Sequence, residues 1–312
     1  EQARGKAVAY PLSDPGSPSK RKPAPAKPHA SAYTAHKSTR QGQGTSTILP
    51  HSVSIKDLLK VGKLIKPPQR RTIDLEYFDI SSSRWQSHGS VVIEIEEKPF
   101  AGGAFRHAFR VRCQDDSSPV RGELVLQEYK EHTEQTINET LNLSVEEHTR
   151  KQVQMHSVAR NLAQRFASKV PVEFGKSFSY GKAFYAFIDG KPATVEQFVE
   201  GDFFKYINND GKLCDKPRDE EEHDEVFKKA ECFAHFTFEF SEKKLMVLDL
   251  QGSMFDLYDP EVATCKIQDD NSGKDEYYFC AGNMSSVGIK NFCDSHKCNE
   301  YCAIMGLALC DE

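Results

Sequence analysis

The pattern of hydrophobic and polar positions changes near residue 71. Residues 1–50 are rich in Pro, Ser, Ala, Gly and Lys and offer almost nothing apolar to bury, which predicts disorder. The stretch Ile55–Ile65 has short helical spacing, and two successive prolines, Pro67 and Pro68, mark a boundary after it. We therefore predict that residues 1–72 form a disordered arm and linker and that residues 73–312 form the folded domain.

Alternating apolar and charged residues dominate the first part of the predicted domain. The pattern predicts strands in Ser90–Phe100, after the glycines of AGGAFRHAFRVRCQ, and in Gly122–Lys130. A turn-rich gap is expected before Ser144. The segments FYAFIDG and ATVEQFVEG are further strand and loop candidates.

Helical spacing becomes more frequent in the later part of the chain. Ser144–Val170 is the strongest helix, because Ser144 and Glu147 have the spacing of a capping box. A second helix is predicted from about Glu222, a short buried strand in KLMVLDLQG, and a final helical segment in SVGIKNFCDSHKCNEYCAIMGLAL. This order predicts an α+β fold with a strand-rich first lobe and a more helical second lobe, and a cleft between lobes commonly binds a small ligand.

The charges are distributed unevenly around a net charge of −5. Residues 1–72 carry 14 Lys or Arg and 3 Asp or Glu, whereas the remainder carries 27 and 43. Such a basic arm could pair with nucleic acid, an acidic surface or a membrane face, but a solvated tail is the simpler interpretation. No apolar run approaches the roughly twenty residues of a membrane span, and no secretory h-region is visible. The nine scattered cysteines do not resemble a disulfide scaffold, so we expect an intracellular, cytoplasmic location.

The stretch HKCNEYC near the end of the chain combines metal-binding residue types. His296, Cys298 and Cys302 offer an imidazole and two thiolates, and on a helix the two cysteines would be one turn apart on the same face. A closed structural zinc site needs a fourth ligand, which the spacing leaves open among the other Cys and His residues. The alternative is an ordinary helix with buried cysteines.

A second candidate site lies in Leu245–Pro260. An apolar strand ends at Asp249, and Gln251 and Asp259 follow it. Carboxylates at strand ends suit magnesium coordination or proton abstraction, although Asp-Pro also caps ordinary turns.

Glycine-bearing loops are the third feature. Gly102 and Gly103 precede a strand that carries Arg106, and Gly282 and Gly288 flank the start of the last helical segment. Backbone N–H groups at such turns can hold phosphate, and Arg can brace it, but each loop is weak evidence and an ordinary hairpin turn is the simpler interpretation. The H-R-D, D-F-G and A-P-E signatures of ordinary protein kinases are absent from the sequence.

Together, several segments resemble the atypical alpha-kinases, the family of myosin heavy chain kinase, elongation-factor kinase and the channel kinases. The resemblance extends from about Val92 to the end in the same order, through TVEQFVEGDFFKYINNDG, FAHFTFEFSEKKLMVLDLQG, DLYDP, GNMSSVGIKNF and SHKCNEYCAIMGL. It implies a two-lobed, protein-kinase-like fold, with a first lobe over about 73–192 and a second over about 193–312.

The resemblance also implies roles for individual residues and the cofactors ATP, Mg²⁺ and Zn²⁺. It implies a structural zinc held by His235, His296, Cys298 and Cys302. Asp249 would be the base or the residue that orients the hydroxyl, Gln251 would lie near the nucleotide, and Asp259 would hold magnesium. The nucleotide would also meet the backbone of Glu196, the Arg106 side chain and the Gly102–Gly103 turn, and the loop of Gly282, Asn283 and Gly288 would help to hold a peptide substrate.

The sequence departs from the family pattern at the residue expected to bind phosphate. Gln127 stands where the strand usually carries a Lys that reaches the nucleotide, so a charge-assisted contact is lost. The acidic partner of that Lys falls at Gln152, also neutral, and Ser285 replaces a usual Gly. Lys130 lies at an odd offset from Gln127 and should face the other side of the strand. Arg106 or Arg110 could compensate.

These observations support two functional hypotheses and a weaker third. The first is an alpha-type serine/threonine kinase that transfers the γ-phosphoryl group of Mg-ATP to a protein substrate, with reduced activity because of Gln127. The second is a zinc-stabilised pseudokinase that acts as a binding or scaffold module. The third is a zinc-stabilised domain whose arm binds nucleic acid, which we do not expect, because only Tyr10 and Tyr33 could stack on bases. No signal for an oligomeric state is visible.

Overall fold

The computed structural model of the chain describes residues 69–113, 120–216, 221–265 and 279–310. The predicted arm up to residue 68, with the Ile55–Ile65 stretch, lies outside the described residues. Strand β1 begins at Gln69, ahead of the predicted domain start at residue 73.

Strands dominate the first part of the described chain and helices the later part. The strands are β1 Gln69–Asp79, β2 Arg84–Ile95, β3 Ala101–Gly102, β4 Arg106–Cys113, β5 Gly122–Tyr129, β6 Ser179–Tyr180, β7 Ala183–Ile188, β8 Lys191–Gln197, β9 Phe204–Lys205, β10 Leu245–Leu248, β11 Gln251–Ser253, β12 Asp256–Leu257 and β13 Glu261–Thr264. The α-helices are α1 Glu131–Glu139, α2 Val145–Ala167, α3 Glu221–Phe240, α4 Ser285–Ser295 and α5 Glu300–Ile304.

The first lobe is a seven-stranded antiparallel sheet in the order β2-β1-β7-β8-β5-β4-β3. Strand β2 also pairs with β4, so the sheet curls until it closes on itself. Its interior holds the alternating apolar residues that predicted the strands, among them Ile93, Val111 and Leu126. Strand β8 lies between β7 and β5, so the sheet continues to Gln197, beyond the predicted lobe limit at residue 192.

The segment predicted as a turn-rich gap contains helix α1. Only Thr133 and Ile137 of this helix are buried, which explains why its apolar periodicity was too weak to predict it. Helix α2 confirms the capping box: Ser144 Oγ accepts from the Glu147 N–H at 3.1 Å, and Glu147 Oε2 accepts from the Ser144 N–H at 2.8 Å.

The second lobe is built around helix α3. Its core joins α3 and the second half of α2 to two small sheets, β6-β12-β11-β9 and β10-β13. Phe166 of α2 contacts Phe233 and Phe236 of α3, with ring centroids 5.3 and 4.9 Å apart. Among the described residues, no helix combines the length and apolar composition of a membrane span.

The last predicted helical segment is two helices with a bend at residues 296–299. Cys298 lies in this bend, so the expectation that Cys298 and Cys302 share one helix is wrong. The break occurs because Asn299 caps α5, with its Oδ1 accepting from the N–H groups of Tyr301 and Cys302 at 2.9 and 3.3 Å.

Candidate active site and candidate metal centre

Three strands of the first lobe present polar side chains on the face opposite the apolar interior. Gln127 of β5 lies in register with Ala108 of β4 and with Thr194 of β8. Because side chains alternate along a strand, Arg106, Gln127, Thr194 and Glu196 share this outer face, while residues such as Leu126 face inward.

In the second lobe, the polar residues that face the first lobe lie in two turns with unusual backbone geometry. Asp249 directly follows strand β10, and Asp259 lies in the turn before β13. Both have left-handed φ angles, 50° and 52°, which non-glycine residues seldom adopt and which are common at functional sites. Gln251 joins the turns, because its Nε2 donates to Asp249 Oδ2 at 3.3 Å and to the Asp259 carbonyl oxygen at 3.1 Å. The same amide group also carries an oxygen, an atom type that can bind a hard cation.

The two sets meet in what we call the inter-lobe cluster. Its members are Arg106, Gln127, Thr194, Glu196, Lys205, Asp249, Gln251, Asp259 and Glu261. Arg106 bridges the lobes, with one guanidinium nitrogen bound to Asp259 and the other 3.5 Å from Thr194 Oγ1. Thr194 in turn donates to Gln127 Oε1 at 3.3 Å.

Lys205 and Glu261 belong to this cluster although the sequence analysis missed them. Lys205 Nζ lies 2.7 Å from Asp249 Oδ1. Strand β9, which carries Lys205, pairs with β11 so that Lys205 lies opposite Gln251. Lys205 is far from Asp249 in sequence, so no local pattern joins the two. Glu261 follows the Asp259-Pro260 turn directly, but the sequence does not show that its side chain turns back toward the same acids.

Glu261 is a buried acid held close to the other carboxylates. Burial raises its pKa to about 8, repulsion from Asp249 and Asp259 adds to the shift, and a hydrogen bond with Gln152 opposes it. A Cβ at Gly282 would overlap the Glu261 carboxylate, so a larger residue there would force the Glu261 side chain to move. The predicted partner position Gln152 therefore lies beside Glu261, and the Gly282 loop borders the inter-lobe cluster.

Glu196 lies within strand β8, which pairs with β5 on one side and β7 on the other, rather than in a linker after the sheet. Its backbone is in register with Val125 of β5 and Ala183 of β7, and its buried carboxylate lies 3.8 Å from His156 Nδ1. Burial and the negative charge of Asp259 raise the pKa of Glu196 to about 8, against the effect of Arg106. Burial lowers the pKa of His156 to about 4, so this histidine is neutral near pH 7.

The charges of the inter-lobe cluster are arranged to accept a cation. Arg106 pairs with Asp259 and Lys205 with Asp249. Glu196 and Glu261 keep their protons at neutral pH, because burial and the neighbouring carboxylates disfavour their charged forms more than Arg106 favours them. A divalent cation bound here would favour the ionised carboxylates.

The predicted glycine turn lies at the edge of this cluster. Gly103 belongs to the β3–β4 hairpin, and its N–H donates to the Arg106 carbonyl oxygen at 3.1 Å. Lys130 Nζ donates to the Gly103 carbonyl oxygen at 2.5 Å, so its ammonium group is directed to the hairpin. Gly102 pairs with His107 in the same hairpin.

The predicted substrate loop is shorter than expected. Asn283 fastens it to β13, because its Oδ1 accepts from the Thr264 N–H at 3.1 Å and from the Ser285 N–H at 2.8 Å. Gly288 is not in this loop but buried within α4, which corrects the expectation. A side chain there would press on Leu248 and the Asn209 carbonyl oxygen, so its role is close packing.

The four predicted metal ligands form a separate group, which we call the metal cluster. One ligand atom from each of His235, His296, Cys298 and Cys302 lies within 4.8 Å of the others. His235 of α3 is fully buried, and its Nε2 has no hydrogen-bond partner. A buried nitrogen without a partner is costly, whereas two imidazoles and two thiolates suit a tetrahedral zinc ion. The residues present therefore fit zinc.

Glu231 orients one of these ligands and was not predicted. Its Oε2 lies 3.0 Å from His296 Nδ1, which leaves His296 Nε2 directed at Cys302 Sγ, 3.5 Å away. A carboxylate behind a ligating histidine fixes the ring and its tautomer. Glu231 and His235 are four residues apart on α3 and so share one face, a spacing that could have revealed the pair.

Comparison with known proteins identifies the family. The alpha-kinase family profile matches residues 101–302, well over half of the chain. The chain belongs to the alpha-kinase family. It is 31% identical over 236 residues to alpha-protein kinase 1 of Dictyostelium discoideum, a match that covers 74% of this chain and 15% of that protein. It is 28% identical over 244 residues to myosin heavy chain kinase B of the same organism, covering 76% of this chain and 29% of that protein. The match thus spans less than a third of the length of each of these relatives.

Solved structures show the same fold. The alpha-kinase domain of myosin heavy chain kinase A in complex with ADP matches with a TM-score of 0.60 and 23% identity, covering 78% of this chain and 100% of that one. The same domain in complex with AMP-PNP matches with a TM-score of 0.60 and 24% identity, covering 78% and 98%. The two-lobed, kinase-like α+β fold is therefore confirmed.

Proposed function

We propose that this chain is an alpha-type serine/threonine protein kinase domain that transfers the γ-phosphoryl group of Mg-ATP to a protein substrate. The observation that carries the proposal is the inter-lobe cluster, in which Asp249, Gln251 and Asp259 of the second lobe meet Arg106 of the first. Phosphoryl transfer needs positioned phosphates, a held metal and an oriented acceptor rather than covalent chemistry by the protein. The cluster has groups for each task. Membership of the alpha-kinase family supports the same activity.

Each side chain has a role that follows from its contacts. Arg106 would bind phosphate oxygens, since its guanidinium reaches both Thr194 of the first lobe and Asp259 of the second. Asp259 and the Gln251 amide oxygen are hard oxygen ligands of the kind that Mg²⁺ prefers, and bound Mg²⁺ would neutralise phosphate charge. Asp249 would accept or orient the substrate hydroxyl proton. Burial raises the pKa of Asp249 while Lys205 lowers it, so Lys205 helps to keep this carboxylate ionised.

Zinc is proposed as a structural ion in the metal cluster. All four donors would be protein side chains, which leaves no position for substrate or reactive water. Zinc would join the bend between α4 and α5 to helix α3 and so stabilise the second lobe.

A pseudokinase remains the second candidate because of Gln127. The Oε1 atom of Gln127 accepts a hydrogen bond from the neutral Thr194 hydroxyl, and the usual Lys charge is absent at this position. Arg110 is engaged with Glu123 at 3.2 Å and lies over the Phe198 ring, so it does not replace that charge. Arg106 reaches the same Thr194 hydroxyl and is the residue placed to compensate.

Transfer of labelled phosphate from Mg-ATP to the protein itself and to a basic test protein decides between them. We expect incorporation by the unchanged chain and a loss of about 10²- to 10³-fold in Asp249→Ala. Asp294→Ala is the matched control, because Asp294 is an exposed acid on α4 that pairs with Lys290.

Calorimetric titration with Mg-ATP in the same variants separates binding from turnover. Incorporation no greater than in Asp249→Ala, with zinc bound and the fold intact, would exclude the enzyme. Mg-ATP binding without incorporation would identify a pseudokinase, and absence of both would leave only a scaffold.

A further inference from the structure

Two cysteines outside the metal cluster face each other at the end of the second lobe. The Sγ atoms of Cys293 and Cys310 lie 2.7 Å apart, although the residues are 17 positions apart in sequence. Cys293 is on helix α4 and Cys310 in the tail after α5, and both pack at the edge of the second-lobe core. Both are half-buried, so a small reagent can reach them. The cysteines of the described residues form no disulfide bond in this structure.

The backbone geometry at the end of helix α5 directs the tail back toward helix α4. Gly306 has a left-handed φ of 64°, and its N–H donates to the Ala303 carbonyl oxygen at 3.0 Å. The Leu307 N–H donates to the Cys302 carbonyl oxygen, also at 3.0 Å. This is the Schellman arrangement, which reverses the chain after a helix. It returns the tail toward α4 and places Cys310 at Cys293.

The pair encloses most of the metal cluster. The segment between Cys293 and Cys310 contains His296, Cys298 and Cys302, three of the four proposed zinc ligands. The tail also lies against the cluster, with Cys298 Sγ 3.7 Å from the Ala308 carbonyl oxygen. A covalent bond between the two cysteines would close a loop around these ligands, and loop closure limits the conformations of the opened state.

We propose that Cys293 and Cys310 are a redox-reactive pair that closes to a disulfide by exchange with a low-molecular-weight disulfide such as oxidised glutathione, and that this bond holds the ligand-bearing segment in place. One protein thiolate attacks a glutathione sulfur and releases one glutathione thiolate. The second protein thiolate then attacks the mixed disulfide and releases the other. The two protein thiols are oxidised, one glutathione disulfide is reduced to two thiols, and the protons pass to these. The proposal does not depend on kinase activity.

Peptide mapping of the zinc-loaded protein tests the pairing. After incubation with oxidised glutathione, acid quenching and alkylation, we expect a cross-linked peptide containing Cys293 and Cys310 and no added glutathione. In Cys310→Ser we expect Cys293 to keep one glutathionyl group instead, because the resolving thiol is gone. Cys214→Ser, which changes a half-buried cysteine elsewhere, should leave the cross-link intact. The Cys310 change lies in the tail, so it should not prevent folding.

Other pairings would overturn the proposal. A bond from Cys310 to Cys298, separate glutathionylation of both cysteines, or unaltered alkylation of the two would each do so. Zinc release to a chelator provides the second measurement, and we expect it to be about tenfold slower from the oxidised protein. Equal release rates would overturn the link to the metal cluster.

Discussion

The metal cluster and the inter-lobe cluster are both groups of polar side chains within one domain, but the chain assembles them differently. Three metal-cluster residues lie within seven positions of sequence, and one helix supplies the fourth. The inter-lobe cluster draws on strands β4, β5, β8, β9, β11 and β13 and on the turns after β10 and before β13. The first can therefore be read as a motif, whereas the second depends on the closed sheet and the packing of two lobes.

The two clusters also differ in what they require from solution. The metal cluster has a buried nitrogen without a partner and suits one soft cation. The inter-lobe cluster pairs two acids with Arg106 and Lys205 and holds two more, Glu196 and Glu261, in their protonated forms at neutral pH. Loss of zinc should thus unfold the metal cluster. Loss of a divalent cation from the inter-lobe cluster should only change the protonation of its carboxylates.

Removal of a metal ligand should have the largest effect. Cys302→Ser should reduce bound zinc from one equivalent to a small fraction and lower the free energy of unfolding by several kcal/mol, because metal binding and folding are coupled. Metal analysis and urea unfolding measure both. Cys265→Ser changes an exposed cysteine outside the metal cluster and should alter neither. A fully stable, zinc-free Cys302→Ser protein would contradict the structural role.

Restoration of the charge pair should have the next largest effect, on activity. Gln127→Lys together with Gln152→Glu should raise phosphate incorporation by about tenfold or more, since a charged donor then faces the phosphates. Gln127→Met keeps the length without the charge and should give no increase. A double-mutant cycle shows whether the two positions act together. An unchanged rate in the double variant would indicate that Arg106 already fulfils this role.

Neutralisation of Glu261 should change how stability depends on pH. The unfolded chain loses the Glu261 proton near pH 4.5, whereas the folded chain keeps it until about pH 8. Wild-type stability should therefore fall with rising pH across this window, by up to about 1.4 kcal/mol per pH unit from this group. Glu261→Gln should remove this contribution to the slope and leave the one from Glu196, whose pKa burial also raises to about 8.

Urea unfolding without nucleotide or added divalent cation measures this effect. Glu173→Gln, at an exposed acid, should leave the slope as in wild type. Parallel pH profiles for wild type and Glu261→Gln would show that Glu261 is already ionised in the folded protein.

Relief of backbone strain should have the smallest effect. Ser285 has a φ of 52° at the start of α4, a conformation that glycine adopts without strain. Ser285→Gly should therefore stabilise the protein by about 1 kcal/mol or less. Ser286→Gly, one residue later and inside the helix, should destabilise it by about 0.5–1 kcal/mol. Thermal unfolding of both tests whether the two signs differ.

Local patterns were sufficient for the strong elements of the fold. The capping box predicted the start of α2, alternation predicted β5, and an apolar run predicted the strand before Asp249. Helix α1 was missed because it buries little. The single helix predicted at the end was interrupted because Asn299 caps a new one. Periodicity thus identified elements with a large apolar face, and it failed at a helix that buries little and at the break before α5.

The sequence by itself determined the α+β class, the family resemblance and the candidate residues of both clusters, because these are carried by local spacing and residue type. Only the tertiary structure decided that Lys205 lies at Asp249, that Glu261 lies among the acids and that Glu231 supports His296. The tertiary structure likewise brought Cys293 to Cys310. These contacts join residues distant in sequence, and their partners are chosen by sheet closure, helix packing and chain reversal.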